Sequence, residues 1–245
     1  MRVFGKEKEI DYGATLEFFD SRARCASPES PQSTTMYQDK SLSEKRDRHE
    51  REAVVPLLQL SGGEKILDIG CGYGRWASIL RDFSPTYLGI DFSRELLALA
   101  EAQGMGFAVF QHMAAQDISP SQLVVPPPFD LVICSGILIY LNDRDVVRLS
   151  KALSGLAAPC STVYLREPMA ITGERLTLDR FPSEELKTNY SAIYRTPEQC
   201  RELFGKPLQD SGFECVVDEP LYPPELCNRK ETEQQIQIWK RRVRQ

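Results

Sequence analysis

Apolar positions run through Lys65-Ile-Leu-Asp-Ile69, three glycines then alternate with other residues up to Gly74, and helix-forming residues resume at Arg75. That pattern predicts a buried strand, a tight loop and a helix start. A second apolar run, Tyr87-Leu-Gly-Ile90, ends at Asp91, and further strand-like runs fall at 106–110, 129–134, 161–167, 213–218 and 235–239. Helical spacing of apolar residues lies between them, as in Trp76, Ile79, Leu80 and Phe83, in Leu96, Leu97 and Ala100 after a capping Ser93, and in Val146, Leu149, Leu153 and Leu156. The alternation predicts an α/β domain. Residues 41–60 read as a helix whose stripe Leu42, Arg46, His49, Ala53, Leu57 and Leu60 turns Arg46 and His49 toward the body. A Pro/Ser/Thr loop precedes it, and residues 170–195 break the α/β rhythm with a mixed polar and aromatic segment. Thr196-Pro-Glu-Gln199 has the form of a capping box with proline at the first helical position.

Glycines let backbone turn sharply and approach a ligand, and N–H groups at a helix start favour a polar or anionic edge. A carboxylate ending the second strand, Asp91, is placed to meet ribose hydroxyls. The glycines follow G-x-G-x-G, with Arg75 where a dinucleotide loop would carry its third glycine. Loop and carboxylate together point to a nucleoside.

Asp68-Ile-Gly-Cys-Gly-Tyr-Gly74 followed by Gly89-Ile-Asp91-Phe-Ser93 resembles the first two motifs of the class I S-adenosylmethionine-dependent methyltransferases. Phe110 to Ile118 is similar to the family's adenine-contacting loop, and Phe129 to Asp143 to its fourth strand and following loop. The resemblance implies a Rossmann-like three-layer sandwich with a seven-stranded, mostly parallel sheet. It implies an N-terminal helical cap (residues 1–60) on a methyltransferase domain (61–245), with a substrate-side insertion at 170–195, all in one structural domain. The cofactor it implies is S-adenosylmethionine, with S-adenosylhomocysteine as product.

On this resemblance, cofactor contacts are expected from Asp68, Gly70, Cys71, Gly72, Gly74, Asp91, Phe92, Ala115, Gln116, Asp117 and Ser135, with Arg46 on the methionine carboxylate. Ala114 stands where many relatives carry an acid, so the adenine edge falls to Gln116 or Asp117. Tyr140 occupies a position where relatives frequently have histidine; it could face the sulfonium, bond the acceptor or pack. Hydroxyl acceptors usually need a base, and the catalytic candidates are His49, Tyr140 and Glu167. Acceptor contacts are sought at Tyr37, Tyr140, Arg166, Tyr190, Tyr194 and Arg195. A plain reading stands beside each: Arg46 snorkelling, His49 and Phe92 packing, and the arginines as surface charges.

A formal net charge of −5 over 245 residues disfavours a nucleic-acid groove, and the basic run near residue 240 reads as a solvated end. With no apolar stretch of membrane length and no signal-peptide pattern at the N-terminus, a cytoplasmic protein with no membrane partner is expected, monomeric or homodimeric. Seven cysteines without a C-x-x-C pair fit buried packing in a reducing compartment, and no metal site is expected. The reading is methyl transfer to oxygen or nitrogen of a small, acidic metabolite. An inactive nucleoside-binding subunit and a nicotinamide-dependent oxidoreductase are the alternatives.

Overall fold

Strand β2 (Lys65–Ile69) is sealed on both faces, as the continuous apolar run requires of a central parallel strand. Around it, β3 (Thr86–Asp91), β4 (Ala108–His112), β5 (Phe129–Ser135), β6 (Ala157–Ala170), β9 (Phe213–Pro220) and β10 (Thr232–Arg241) form a seven-stranded sheet in the order β4-β3-β2-β5-β6-β10-β9. All neighbours are parallel except β10, which runs antiparallel to β6 and β9. The computed structural model describes residues 1–26, 39–183, 186 and 188–241. The candidate Tyr37 lies outside the described residues.

Period-two alternation assigns each strand residue to a layer. Leu67, Ile69, Val132 and Val163 face one side, where helix α5 (Asp143–Leu156) covers them with Val146, Leu149 and Leu153. Ile66, Leu131, Ile133 and Tyr164 face the other, under helices α2 (Lys40–Leu58) and α3 (Arg75–Leu80). Helix α4 (Arg94–Glu101) starts at Ser93, whose hydroxyl accepts from Leu96 N as expected. The short α6 (Pro197–Cys200) has the full capping box, and a π-turn joins it to α7 (Lys206–Asp210).

Three strands differ most from the sequence pattern, among them the one expected at 161–167, which runs from Ala157 to Ala170. The third strand begins at Ala108 rather than at residue 106, and the last runs from Thr232 to Arg241, well beyond 235–239. The α2 stripe is rotated: its buried positions are Ser43, Arg46, Glu50, Val54 and Leu58, so His49 lies beside the buried face rather than at its centre. One polar residue, Glu50, thus takes a core position that apolar spacing alone assigns elsewhere.

Residues 170–195 are an antiparallel hairpin, β7 (Leu176–Ser183) and β8 (Thr188–Tyr194), which pairs with β1 (Arg2–Phe4) in a separate three-stranded sheet. Helix α1 (Tyr12–Arg24) packs Phe18 and Phe19 against Tyr140, Tyr190 and Ala192, joining the N-terminal segment to the hairpin. Asn142 sits at the start of α5 but does not cap it; its side chain accepts from Ile10 N (2.9 Å) and donates to Ile10 O.

Asp143 accepts from Arg175 (2.7 Å) and from Arg195 (2.6 Å), both nearly sealed from solvent at 3% and 4% exposure. Burial pushes the Asp143 carboxyl up, but bonding to the two guanidinium groups outweighs it and holds the carboxyl below its usual range. Arg195 also donates to the Leu138 and Leu141 carbonyls. Its place is therefore the hairpin junction rather than an acceptor-facing wall, because every direction its fork offers meets the protein's own acceptors. Asp143→Ala is expected to cost about 3–5 kcal/mol, since two buried cations lose their counter-charge. Urea unfolding would measure it, and a loss below about 1 kcal/mol would show that the pair does not hold the hairpin.

Candidate active site

The loop between β2 and α3 keeps Gly70 at φ +74°, Gly72 at +55° and Gly74 at +82°. A side chain at Gly70 would strike Ile137 at 2.8 Å, whereas at Gly72 a Cβ would meet nothing within 4 Å. The loop is therefore packed at its base and open at its crest. Asp91 closes the corner: its carboxylate accepts from Gly72 N (2.9 Å) and Ser93 N (2.8 Å). Burial, opposed by these backbone N–H bonds, leaves the Asp91 carboxyl pushed up to about 6. Asp68, bonded by the Tyr87 hydroxyl, is pushed up to about 7 by burial. Cys71 is buried with its thiol pushed up by desolvation first and then by Asp91 and Asp68, so it packs rather than reacts.

The crest opens on a cleft of about 1080 Å³ that also touches Phe92, Ser135, Tyr140 and Arg166. The opposite wall is ionic. Glu50, 2% exposed on its side chain, accepts from Arg75 (2.9 Å) and the Tyr164 hydroxyl (2.7 Å) and lies 3.3 Å from Arg166 Nε. Arg75 also reaches Asp47 (2.9 Å), and Arg166 donates to Ser135 Oγ (3.0 Å) and Gln234 (3.0 Å).

A second chamber, about 950 Å³, adjoins the first across Ile139, Pro168, Arg46, Tyr222 and Gln234. The hairpin supplies Phe181, Tyr190 and Tyr194 to it, and α1 supplies Phe18. At the boundary the Tyr140 and Tyr190 hydroxyls are hydrogen-bonded at 2.8 Å.

The candidates divide by location. Gly70, Cys71, Gly72, Asp68, Asp91, Phe92 and Ser135 line the first chamber, Tyr190 and Tyr194 the second, and Arg46 both. Gly74 instead meets Ala100, Met105 and Phe110 at the base of the loop. Ala115 to Asp117 form a 3-10 turn; Ala115 is buried in the core, and Asp117 lines a groove shared with Phe92, Tyr12 and Met113. Gln116 contributes to neither chamber among the described residues.

Two proposed bases sit elsewhere. His49 Nε2 lies 3.0 Å from the Leu221 carbonyl, outside both chambers, because the rotated helix face carries it off the cleft. Glu167 accepts the backbone N–H groups of Ile137 (2.7 Å), Leu138 (2.8 Å) and Ile139 (3.3 Å), behind the first chamber's wall. Its carboxyl shapes that loop instead of facing an acceptor. Arg46, expected on a ligand carboxylate, spends Nε and Nη2 on Leu226 O and reaches Asn228 over the Tyr222 ring. Glu50, Arg75, Tyr73, Tyr222 and Gln234 line the first chamber as well, although none is among the expected contacts. The legible signal was Arg75, out of place in a glycine loop; Glu50 carried none, because a glutamate in a charge-rich helix reads as solvated.

A family model described as a methyltransferase domain matches residues 66–159. The ubiquinone biosynthesis O-methyltransferase of Methylococcus capsulatus is 34% identical over 170 residues, 65% of this chain and 69% of its own length. Phosphoethanolamine N-methyltransferase 1 of Arabidopsis thaliana is 26% identical over 121 residues, 49% of this chain, and the chain spans only 25% of that protein. Among solved structures, Haemonchus contortus phosphoethanolamine N-methyltransferase 1, with phosphoethanolamine and S-adenosylhomocysteine, shares the fold at a TM-score of 0.70 with 18% identity, over 94% of this chain and 48% of that one. Magnesium protoporphyrin IX methyltransferase from Synechocystis, with bound S-adenosylmethionine, does so at 0.64 with 16% identity, over 96% and 100%. This chain belongs to the class I S-adenosylmethionine-dependent methyltransferases. S-adenosylmethionine is its cofactor. The open crest at Gly72 and the Trp76 indole N–H, buried in the cleft wall with no acceptor among the described residues, leave room and a donor for it.

Burial pushes the Glu167 carboxyl up to about 7 against the pull of its three N–H donors. A group raised in the folded state stabilises fully below its unfolded value and loses that contribution as pH rises through the folded one. Relative to Glu167→Gln, the wild type should therefore lose thermal stability between about pH 4.5 and 7. Parallel stability curves for the two proteins would show the carboxylate ionised throughout.

Proposed function

We propose that the enzyme methylates an oxygen or nitrogen of a small acceptor held in the second chamber, one that joins an apolar body to an acidic group. The meeting of the two chambers at the Tyr140–Tyr190 hydroxyl pair carries this reading. In the first chamber Asp91 would accept from the ribose hydroxyls and the Cys71–Gly72 backbone would hold the nucleoside, with Phe92 against the adenine where that chamber adjoins the groove of Asp117. When bound, the cofactor would supply an electrophilic methyl group on a sulfonium, to whose carbon the acceptor's lone pair bonds in line as the S–CH3 bond breaks and S-adenosylhomocysteine leaves.

What remains for the protein is to orient the nucleophile and keep out water. Rings of Phe18, Phe181, Tyr194 and Tyr222 give the second chamber an apolar wall, while Arg46 and Arg229 bring positive charge to it. Tyr190 is kept protonated by burial first and then by Tyr140 and Tyr194, so the pair hydrogen-bonds the acceptor rather than deprotonating it. The acceptor atom then needs its own available lone pair, as a carboxylate, phosphonate, phenolate or free amine has. Relatives named for phosphoethanolamine N-methylation and for an O-methylation in ubiquinone biosynthesis support a small acceptor and both acceptor atoms.

Calorimetry with S-adenosylmethionine, S-adenosylhomocysteine and NADH, followed by transfer of labelled methyl into a library of acids, amines and neutral alcohols, tests the reading. Label in apolar-bodied acids, weakened in Tyr190→Phe, is expected. Binding of both adenosyl ligands without transfer to any compound would favour an inert binding protein, and label confined to neutral acceptors would remove the acidic group.

The Asp91 role has its own signature. Only the ionised carboxylate offers full acceptor strength to ribose, so S-adenosylhomocysteine affinity should fall as pH drops through about 6 and stay level above 7 (roughly one unit higher). Asp91→Asn should bind about 1–3 kcal/mol more weakly at neutral pH and lose that component of the pH dependence. Identical pH curves for the two proteins would take Asp91 off the ribose.

A further inference from the structure

Arg46 and His49 both direct hydrogen bonds to one segment, the loop of residues 221–231 that joins β9 to β10. It contains the 3-10 turn Pro224–Leu226, and a carbonyl outside a helix or strand ladder has to find its donor elsewhere. Helix α2 supplies such donors on both sides of Tyr222. His49 Nε2 lies 3.0 Å from the Leu221 carbonyl, and because a carbonyl only accepts, Nε2 carries the hydrogen. Three positions earlier, on the same helix face, Arg46 donates Nε (2.8 Å) and Nη2 (2.5 Å) to the Leu226 carbonyl, and Nη2 to Asn228 Oδ1 (2.8 Å). The Tyr222 ring centre is 5.2 Å from the Arg46 guanidinium carbon and 6.0 Å from the His49 ring centre. Tyr222 is buried and belongs to the walls of both chambers, while Cys227, Asn228 and Arg229 extend the wall of the second. The loop's far end is tied separately: the Glu231 carbonyl accepts from Ile171 N (3.0 Å) and its carboxylate from Arg2.

Resting on the reading of the second chamber as the acceptor site, we propose that Arg46 and His49 are positioning residues that fix the 221–231 loop and, through Tyr222, set which acceptors reach the boundary with the first chamber. Arg46 does two things at once. Its N–H groups fasten the loop's carbonyl and amide oxygens, and its guanidinium lies over Tyr222, holding that ring as a partition between the chambers. A hydrogen bond from a charged donor is stronger than one between neutral groups, so Arg46 is the main anchor and His49 the lesser. Without the grip the ring and the loop can draw back from the boundary. Small acceptors are then held less firmly, and bulkier ones gain entry. Grip and loop both lie outside the matched region 66–159, whereas the glycine loop and Asp91 lie within it.

The test uses the full chain, labelled S-adenosylmethionine and the library of acids, amines and alcohols, with single-ring, two-ring and long-chain acids as a size series. S-adenosylhomocysteine is titrated calorimetrically in parallel. Arg46→Met keeps an apolar stem and removes the donors. It is expected to raise the KM of the best wild-type acceptor about tenfold, the scale of lost charge-assisted hydrogen bonds, and to shift label toward the larger acids. S-adenosylhomocysteine affinity should change by less than about threefold. His49→Leu should show a smaller shift in the same direction, and His49→Gln, which keeps an N–H for the Leu221 carbonyl, should restore the wild-type acceptor profile. The His49 pair carries the test if Arg46→Met does not fold. An unchanged acceptor profile in folded Arg46→Met would overturn the proposal, as would equal weakening of acceptor and S-adenosylhomocysteine or indistinguishable His49→Leu and His49→Gln proteins. Wild-type protein that binds S-adenosylhomocysteine but labels no member of the library would instead overturn the acceptor reading, and this proposal with it.

Discussion

A buried carboxylate on a cap helix has to find cations or lose its charge, and Glu50 finds them on two other elements. Because Arg75 begins α3 and Arg166 lies near the end of β6, satisfying Glu50 sets the seat of α2 against the glycine loop and the sheet edge at once. Burial alone would push this carboxyl up, yet the two guanidinium groups and the Tyr164 hydroxyl hold it below its usual range. Helix propensity and apolar packing by Val54 and Leu58 make α2 a helix against the sheet; the ionic contact decides its rotation.

The same principle recurs at two other joints. Glu167 gathers the N–H groups of residues 137–139, bending the chain after β5 so that Ile139 and Tyr140 face the cleft. Asp143 ties the hairpin through Arg175 and Arg195. Each joint is a carboxyl group whose partners lie far away in sequence, and each lies beside a wall of the site. Hydrophobic burial builds the layers; carboxyl groups bonded to guanidinium or backbone N–H donors set the edges where ligands bind.

The division of labour explains how a widespread fold acquires a particular pocket. The fold is shared with solved structures named for methylating different compounds, so it says little about the acceptor. The second chamber is built largely from the β7–β8 hairpin and the segment before β10, with Phe18 from α1, Arg46 from α2, Pro168 from β6 and the start of β10 completing it. Apart from Ile139, the described residues that line it lie outside the matched region 66–159.

By itself the sequence determined the layered sheet and the location of the nucleoside loop. Strands with apolar runs, glycines at left-handed φ and a carboxylate at a strand end depend on neighbours a few residues away, so linear spacing records them. It could not determine which side chains spend their hydrogen bonds on the protein itself. His49, Arg46, Glu167 and Arg195 are all polar residues near the site, and all are answered by groups distant in sequence. Arg75 stood out only as a departure from a glycine pattern, and Glu50 did not stand out at all. Tertiary structure decided these cases because a polar group removed from water is placed by the partner that satisfies it, and that partner is brought near only when the sheet has formed.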